Sequence, residues 1–419
     1  MSDRLSALLQ AHKQGERCGI ASICSAHPFV LQTALRHAAR TGKLLLVEST
    51  CNQVNQFGGY TGQTPAAFAA WLRSLAAENG QPQDRLILGG DHLGPSVWQA
   101  EPAEVALAKA GDLVQACVRA GYAKIHLDAS MHLGGDNPSA PLPAGLVARR
   151  AAGLARLAEA AADPQAPPRY VIGSEVPVPG GAQEHETGIQ VTTPASVSEM
   201  LAAHREAFLG LGLEAAWERV LAVVVQPGVE FGDDFVLEYQ PEAAAGLSRF
   251  IQRTPYVYEA HSTDYQPPEA LKALVRDHFA VLKVGPALTY AYRKAVFALE
   301  AIEAELVPEE RRSHLPAVLD RAMQADPQHW QKHYHGNTEE VARKRLYSRS
   351  DRLRYYWPDP QVQAAFARLM ENLGSGPLPA DPVRKHAARS ANPGKNTALQ
   401  ILAQGVEQVL DNYAFACRG

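Results

Sequence analysis

The stretch "RLILGGDHLGP", Arg85–Pro95, passes from an apolar run into an adjacent Asp–His pair framed by glycines and closed by a proline. An apolar run of this kind reads as a strand buried on both faces, which is the character of strands in parallel sheets. Its polar exit is then a strand end, where the glycines and Pro95 shape a tight turn and aim Asp91 and His92 at whatever lies beyond. Seven more runs share the pattern: "GIASICSA" from Gly19, "KLLLVEST" from Lys43, "KIHLDAS" from Lys124, "YVIGSEV" from Tyr170, "LAVVVQP" from Leu221, "YVYEAHS" from Tyr256 and "FAVLKVG" from Phe279. Helical periodicity fills the intervals, with Thr64-Pro65 and Thr193-Pro194 as N-cap and first helical residue, and Gly121 as a C-cap. Eight strands, each with room for a following helix, predict an α/β fold: a closed (β/α)₈ TIM barrel over residues 1–290. Over 291–419 the strand signal stops and a C-terminal helical extension is expected, with a loop near 374–395.

Composition narrows the function classes. Hydrophobic residues make up 46% and charged residues 20%, and the formal net charge is -4, so no nucleic-acid partner is expected. The five cysteines are odd in number and lack a CxxC pair, which argues against both a disulfide framework and a thiolate zinc site and for reduced thiols. The N-terminal "MSDRLSALLQAHKQGERCG" alternates charge with leucine and holds no run fit for a signal peptide or a membrane span, so a cytoplasmic protein without a membrane partner is expected.

In such barrels the chemistry sits at the C-terminal ends of the strands. Here every strand exits into polar groups: His27, Glu48, Asp91-His92, Asp128, Glu175, Gln226, His261 and Lys283. A lone Asp or His after a strand is most simply a turn or cap residue, but eight such exits on one rim point to a shared polar pocket. The period-two rule puts His126 and Asp128 on one side of their strand, and Glu259 and His261 on one side of theirs. His126 lies mid-strand and reads equally as a core histidine. Nitrogen and oxygen donors without a thiolate suit one divalent metal, zinc or manganese, beside which a carboxylate (Asp91, Asp128 or Glu175) would move a proton.

The loop "CNQVNQFGGYTGQTP" supplies Asn52, Gln53, Asn55 and Gln56, amides suited to a polyhydroxylated ligand. In "LKVGPALTYAYRKA", Lys283 and Gly285 precede a helix start, where backbone N–H groups can hold an anion such as a sugar phosphate. "EVPVPGGAQEH" reads as a lid, and "RLYSRSDRLRYYWP", Arg345–Pro358, as helix packing or a subunit contact. No GxGxxG or Walker pattern is present, so a sugar kinase is not expected.

Motifs such as "NQVNQFGGYTG", "LGGDHLGP", "KIHLDASM", "YVIGSEVPVPGGA", "VVQPGVEFG", "VYEAHSTDYQ" and "YSRSDRLRYYWP" resemble the GatZ/KbaZ family of D-tagatose-1,6-bisphosphate aldolase subunits. The resemblance implies a barrel like that of class II aldolases. It also implies an accessory role: the Z subunit supports the activity and stability of a separate catalytic class II aldolase subunit in galactitol, N-acetylgalactosamine or tagatose catabolism. Other relatives act as metal-dependent epimerases at C4 of ketohexoses or uronates, so an autonomous epimerase or aldolase is the alternative. An oligomer with a sugar or sugar-phosphate ligand is expected in either case. Carried over residue by residue, Asp91 falls where the aldolases have their acid/base, and His92 and His261 where they have metal ligands. Gln226 stands where a third metal histidine would be, and Glu175 would complete an alternative set of two histidines and one carboxylate.

Overall fold

A computed structural model describes residues 3–173, 190–387 and 394–418. All eight predicted runs are strands: β1 (Ile20–Cys24), β2 (Leu45–Thr50), β3 (Leu86–Leu93), β4 (Lys124–Leu127), β5 (Arg169–Gly173), β6 (Val220–Val225), β7 (Val257–Ala260) and β8 (Phe279–Val284). They pair in parallel in chain order, and β8 returns to β1 to close the barrel.

The interior is layered because side chains two residues apart face the same way. At the N-terminal end, the helix Arg4–Lys13 sets Leu5 and Leu9 against Ile20, Leu46, Ile87, Val171, Ala222, Val257 and Val281. Two residues further along the same strands come Ser22, Glu48, Gly89, Glu259 and Lys283, with Lys124 opposite Gly89. Two further still lie Cys24, Thr50, Asp91, His126 and His261. An apolar plug is thus followed by a charged layer and then by the mouth. Gly89 has a steric reason: a Cβ there would stand 2.8 Å from Glu48 Oε1 and 3.3 Å from Lys124 Cβ, so only glycine leaves room for that pair.

The helix starts at Thr64 and Thr193 form as expected, each hydroxyl accepting a backbone N–H of the first turn. A short hairpin, Glu230–Phe231 with Val236–Leu237, follows β6 and was not predicted. In the extension several helices are short. Leu315–Ala325 stops just before Pro327, which lacks the N–H a continuing helix needs. Thr338–Tyr347 ends four residues before Asp351, whose φ of 47° turns the chain, and Arg352–Tyr356 continues as a single 3₁₀ segment. The expected loop near 374–395 contains a short helix, Ala380–His386.

The apolar core between barrel wall and surrounding helices runs on into the extension through Leu353, Trp357, Leu402 and Val406. The last helix, Ala398–Ala416, lies back on the barrel, with Tyr413 Oη donating to the Thr263 carbonyl at 2.9 Å. No helix among the described residues is long and apolar enough to cross a membrane.

A buried ion pair fixes the turn at Asp351. Arg293 Nε lies 3.0 Å from Asp351 Oδ1, and Nη2 donates to the Ser348 carbonyl at 3.1 Å. Removing one member of such a pair strands the other charge in the interior, so Arg293→Met is expected to cost about 3–5 kcal/mol. Urea denaturation followed by circular dichroism measures this, and a loss below about 1 kcal/mol, the range of a surface pair, would contradict the role assigned to Arg293.

Candidate active site

The charged layer is a closed network. Glu48 Oε1 and Glu259 Oε2 lie 2.5 and 2.7 Å from Lys124 Nζ, and Lys283 Nζ sits 2.6 Å from both Glu48 Oε2 and Asp91 Oδ2. Ser22 Oγ donates to Glu48 Oε2 at 2.6 Å. Burial opposes charge on Asp91, Lys124, Glu259 and Lys283, yet their neighbours prevail. Asp91 is held well below the usual carboxylate range by His92 and Lys283, and Lys283 well above the usual lysine range by Asp91 and Glu48.

Three histidines stand over this layer. His126 Nδ1 is 2.9 Å from Asp91 Oδ1, His261 Nε2 is 3.0 Å from Glu259 Oε1, and His92 Nδ1 is 2.8 Å from Asp128 Oδ2. Burial holds His261 neutral, lowering it to about 4, whereas Asp91 and Asp128 overcome burial to raise His92. Asp91 and His92 are consecutive and would ordinarily point to opposite faces of β3. His92 takes a φ of 46°, and the β3–β4 register shifts between Gly90 and Leu93, so both side chains reach the mouth. Gly94 completes the exit: a Cβ there would fall 1.6 Å from the Asp128 carbonyl oxygen, so only glycine permits this approach. The Asp–His turn is both a tight strand exit and a side-chain mount.

Above the histidines opens a cavity of about 520 Å³. Its lining includes Asp91, His92, His261 and Lys283 from the strand ends and Asn52, Gln53, Tyr60 and Gln63 from the loop after β2. Arg354, Tyr355, Trp357 and Phe366 from the C-terminal extension roof it.

Of the residues proposed from sequence, Asp91, His92, His261, Lys283, Gly285, Asn52 and Gln53 meet at this cavity, and Asp128 orients His92 from behind. The other two amides serve the loop itself. Asn55 Oδ1 accepts the N–H groups of Phe57 and Gly59, and Gln56 Nε2 donates to the Lys109 carbonyl. Gln226 turns its amide oxygen onto the N–H groups of Gly228 and Val229 and does not line the cavity. Glu175 and the lid "EVPVPGGAQEH" lie outside the described residues. The helix start after Gly285 carries an internal carboxylate, since Asp264 Oδ1 accepts from Gly285 N at 3.0 Å and from Ala287 N at 2.7 Å.

The donor set at the cavity floor fits a divalent ion. Asp91, His126, Glu259 and His261 each offer a ligand atom within 4.8 Å of the others, and His126 Nε2 and His261 Nδ1 are buried with no hydrogen-bond partner among the described residues. A bound ion would share the Asp91 and Glu259 carboxylates with Lys283 and Lys124.

Sequence reasoning passed over Lys124, read His126 equally as a core residue, gave no role to Asp264, and assigned the stretch holding Arg354, Tyr355 and Trp357 to helix packing or a subunit contact. The first two sit inside strand runs. The cavity-lining aromatics and Arg354 lie in "RLYSRSDRLRYYWP", whose density of Arg, Tyr and Trp was the available signal.

Together these features define an α/β-barrel protein with a polar cavity at the C-terminal ends of its strands, the position at which barrel enzymes work. The chain belongs to the D-tagatose-1,6-bisphosphate aldolase subunit GatZ/KbaZ-like family, which it matches over residues 5–418. A crystal structure described as a probable tagatose 6 phosphate kinase from Sinorhizobium meliloti 1021 is 42% identical, with a TM-score of 0.87 over 95% of this chain and 100% of that one. The fructose-bisphosphate aldolase of Campylobacter jejuni is more distant, at 13% identity and a TM-score of 0.47 over 88% of this chain and 92% of that one.

Asp264 gives a pH-dependent readout of the site. Burial raises its carboxyl from 3.8 to about 6, so the folded chain retains a proton that the unfolded chain has lost. Stability from this group therefore falls as pH rises from about 4 to about 6 and is level above. In Asp264→Asn the amide oxygen can still accept both N–H groups, and the stability of wild type relative to the variant should decline across that interval. Parallel urea titrations of the two proteins at several pH values measure the difference, and a pH-independent difference would refute the assignment.

Proposed function

We propose that this chain is the Z-type subunit of a tagatose-1,6-bisphosphate aldolase, supporting the activity and stability of a separate catalytic class II subunit in galactitol, N-acetylgalactosamine or tagatose catabolism. The observation that carries this reading is the family match over nearly the whole chain. The chemistry at the end of β6 agrees with it, because Gln226 holds a turn where a catalytic zinc site of the aldolase kind would place an imidazole. The kinase description of the 42% identical protein finds no support in this sequence, which has neither a Walker nor a GxGxxG loop.

A second reading is favoured by one specific observation, the buried donor set on the floor of a formed cavity. In this reading the chain is an autonomous metal-dependent epimerase or aldolase for ketoses or uronates. Asp91, His126, Glu259 and His261 would hold a divalent ion whose chemistry is polarisation of a sugar carbonyl. Lys283 would keep Asp91 ionised as a ligand, and Asn52 and Gln53 would orient sugar hydroxyls.

The two readings part in one experiment. The accessory reading predicts that the purified chain alone leaves tagatose, tagaturonate and tagatose 1,6-bisphosphate unchanged, while co-expression raises the activity and half-life of a class II aldolase subunit. Turnover of any of these sugars by the lone chain, abolished in His92→Ala, would overturn the accessory reading and support the second.

A further inference from the structure

We infer that the C-terminal extension builds an anion-recognising half-site at the cavity mouth, in which Arg354 binds the phosphate or carboxylate terminus of a sugar whose other end lies over Asp91 and Lys283. This deepens the preceding reading in one respect: it takes the cavity to be a ligand site, and it does not depend on whether the chain turns its ligand over.

The argument begins with charge. Among the described residues, two fixed cations line the cavity. Lys283 is neutralised by Glu48 and Asp91, each 2.6 Å away, whereas Arg354 has no carboxylate within ion-pair distance among the described residues. Asp264 also faces the cavity, but its Oδ1 is held by the N–H groups of Gly285 and Ala287. Arg354 is instead fixed by neutral acceptors. Nη1 donates to the carbonyls of Ser350 at 2.6 Å and Asp351 at 3.0 Å, Nη2 donates to Tyr355 Oη at 2.9 Å, and the guanidinium lies 4.5 Å from the Tyr355 ring centroid. A guanidinium has five N–H donors, and these bonds leave Nε–H and one Nη2–H for an outside acceptor. Two N–H groups on one edge of a fixed plane match two oxygens of a phosphate or a carboxylate. The Arg293–Asp351 pair braces the turn whose carbonyls hold Arg354, so the cation is fixed in place before any ligand arrives.

The remaining wall fits hydroxyl groups. Besides His261 Nδ1 at the floor, three buried polar atoms of cavity-lining residues have no hydrogen-bond partner among the described residues: His27 Nδ1, Gln63 Oε1 and Trp357 Nε1. The indole N–H donates, the amide oxygen accepts, and a neutral imidazole nitrogen does either according to tautomer. Sugar hydroxyls, each both donor and acceptor, match these groups in kind. The His27 ring packs against Tyr292 at 4.4 Å and Trp357 at 6.0 Å, an aromatic wall suited to the C–H face of a sugar.

Calorimetric titration of the full chain tests this with four probes: a neutral ketohexose, the corresponding ketohexose 6-phosphate, a ketohexuronate and inorganic phosphate. At least one sugar anion should bind about tenfold or more tightly than the neutral sugar, the gain expected of a charged hydrogen-bonded contact. Arg354→Met should remove that preference while leaving neutral-sugar affinity within about twofold, and Arg354→Lys, which keeps the charge and loses the fork, should restore part of it. Which sugar anion wins tells whether the source is phosphate or carboxylate. Unchanged melting temperatures in the variants show that they fold, and the wild-type comparison stands without them. Equal affinity for neutral and anionic sugars, inorganic phosphate binding with neither sugar anion held, no binding at all, or anion preference surviving in Arg354→Met would each overturn the inference. Flat titrations would leave activation of an aldolase partner untouched, and loss of that activation would leave the titrations untouched, so the two failures are distinguishable.

Discussion

The interaction on which the rest of this structure depends is the sharing of two ammonium groups among three carboxylates inside the barrel. Glu48, Asp91 and Glu259 are anions in a region closed below by an apolar plug, where an unpaired charge would be prohibitive. Lys124 and Lys283 bridge them at 2.5–2.7 Å, joining β2, β3, β4, β7 and β8 across two adjacent layers. The same network sets the protonation of the mouth. It keeps Asp91 ionised, while burial leaves His261 neutral and the Asp91 and Asp128 carboxylates favour the imidazolium of His92.

Backbone exceptions make this arrangement possible. Gly89 vacates the space in which Glu48 and Lys124 meet, Gly94 allows the β3 exit to touch the Asp128 carbonyl, and His92 accepts a left-handed conformation that places it beside Asp91. Departures of this kind gather where a chain must deliver adjacent side chains to one place, and here they gather at the barrel mouth. The extension completes the site from the opposite side. Its turn at Asp351, itself left-handed, brings Arg354, Tyr355 and Trp357 over the strand ends, so the ligand-sized space belongs to barrel and extension together.

Much of this was legible in the sequence. The eight strands and their closure follow from runs of Val, Ile and Leu too continuous for a half-exposed sheet, and Asp91, His92, His261 and Lys283 follow from their place just beyond those runs. Lys124 was hidden by the same pattern, and Glu259, though placed on one side of its strand with His261, was given no partner. Inside an apolar run a single ionisable residue gives no sign of its partner, because that partner is elsewhere in the chain: 76 residues separate Lys124 from Glu48 and 235 separate Lys283 from Glu48. Asn55 and Gln56 illustrate the converse. Their composition suited a sugar, but Asn55 is taken up by backbone groups of its own loop and Gln56 ties that loop to the Lys109 carbonyl of the helix Ala103–Arg119.

By itself, then, the sequence determined the secondary structure, the barrel and the rim on which polar groups collect, because those depend on local periodicity and on which residues tolerate burial. Only the tertiary structure decided which charges neutralise one another, which histidine stays neutral, and which distant segment roofs the cavity. Those outcomes depend on distances of a few ångströms between residues far apart in the chain, and barrel closure is what creates them.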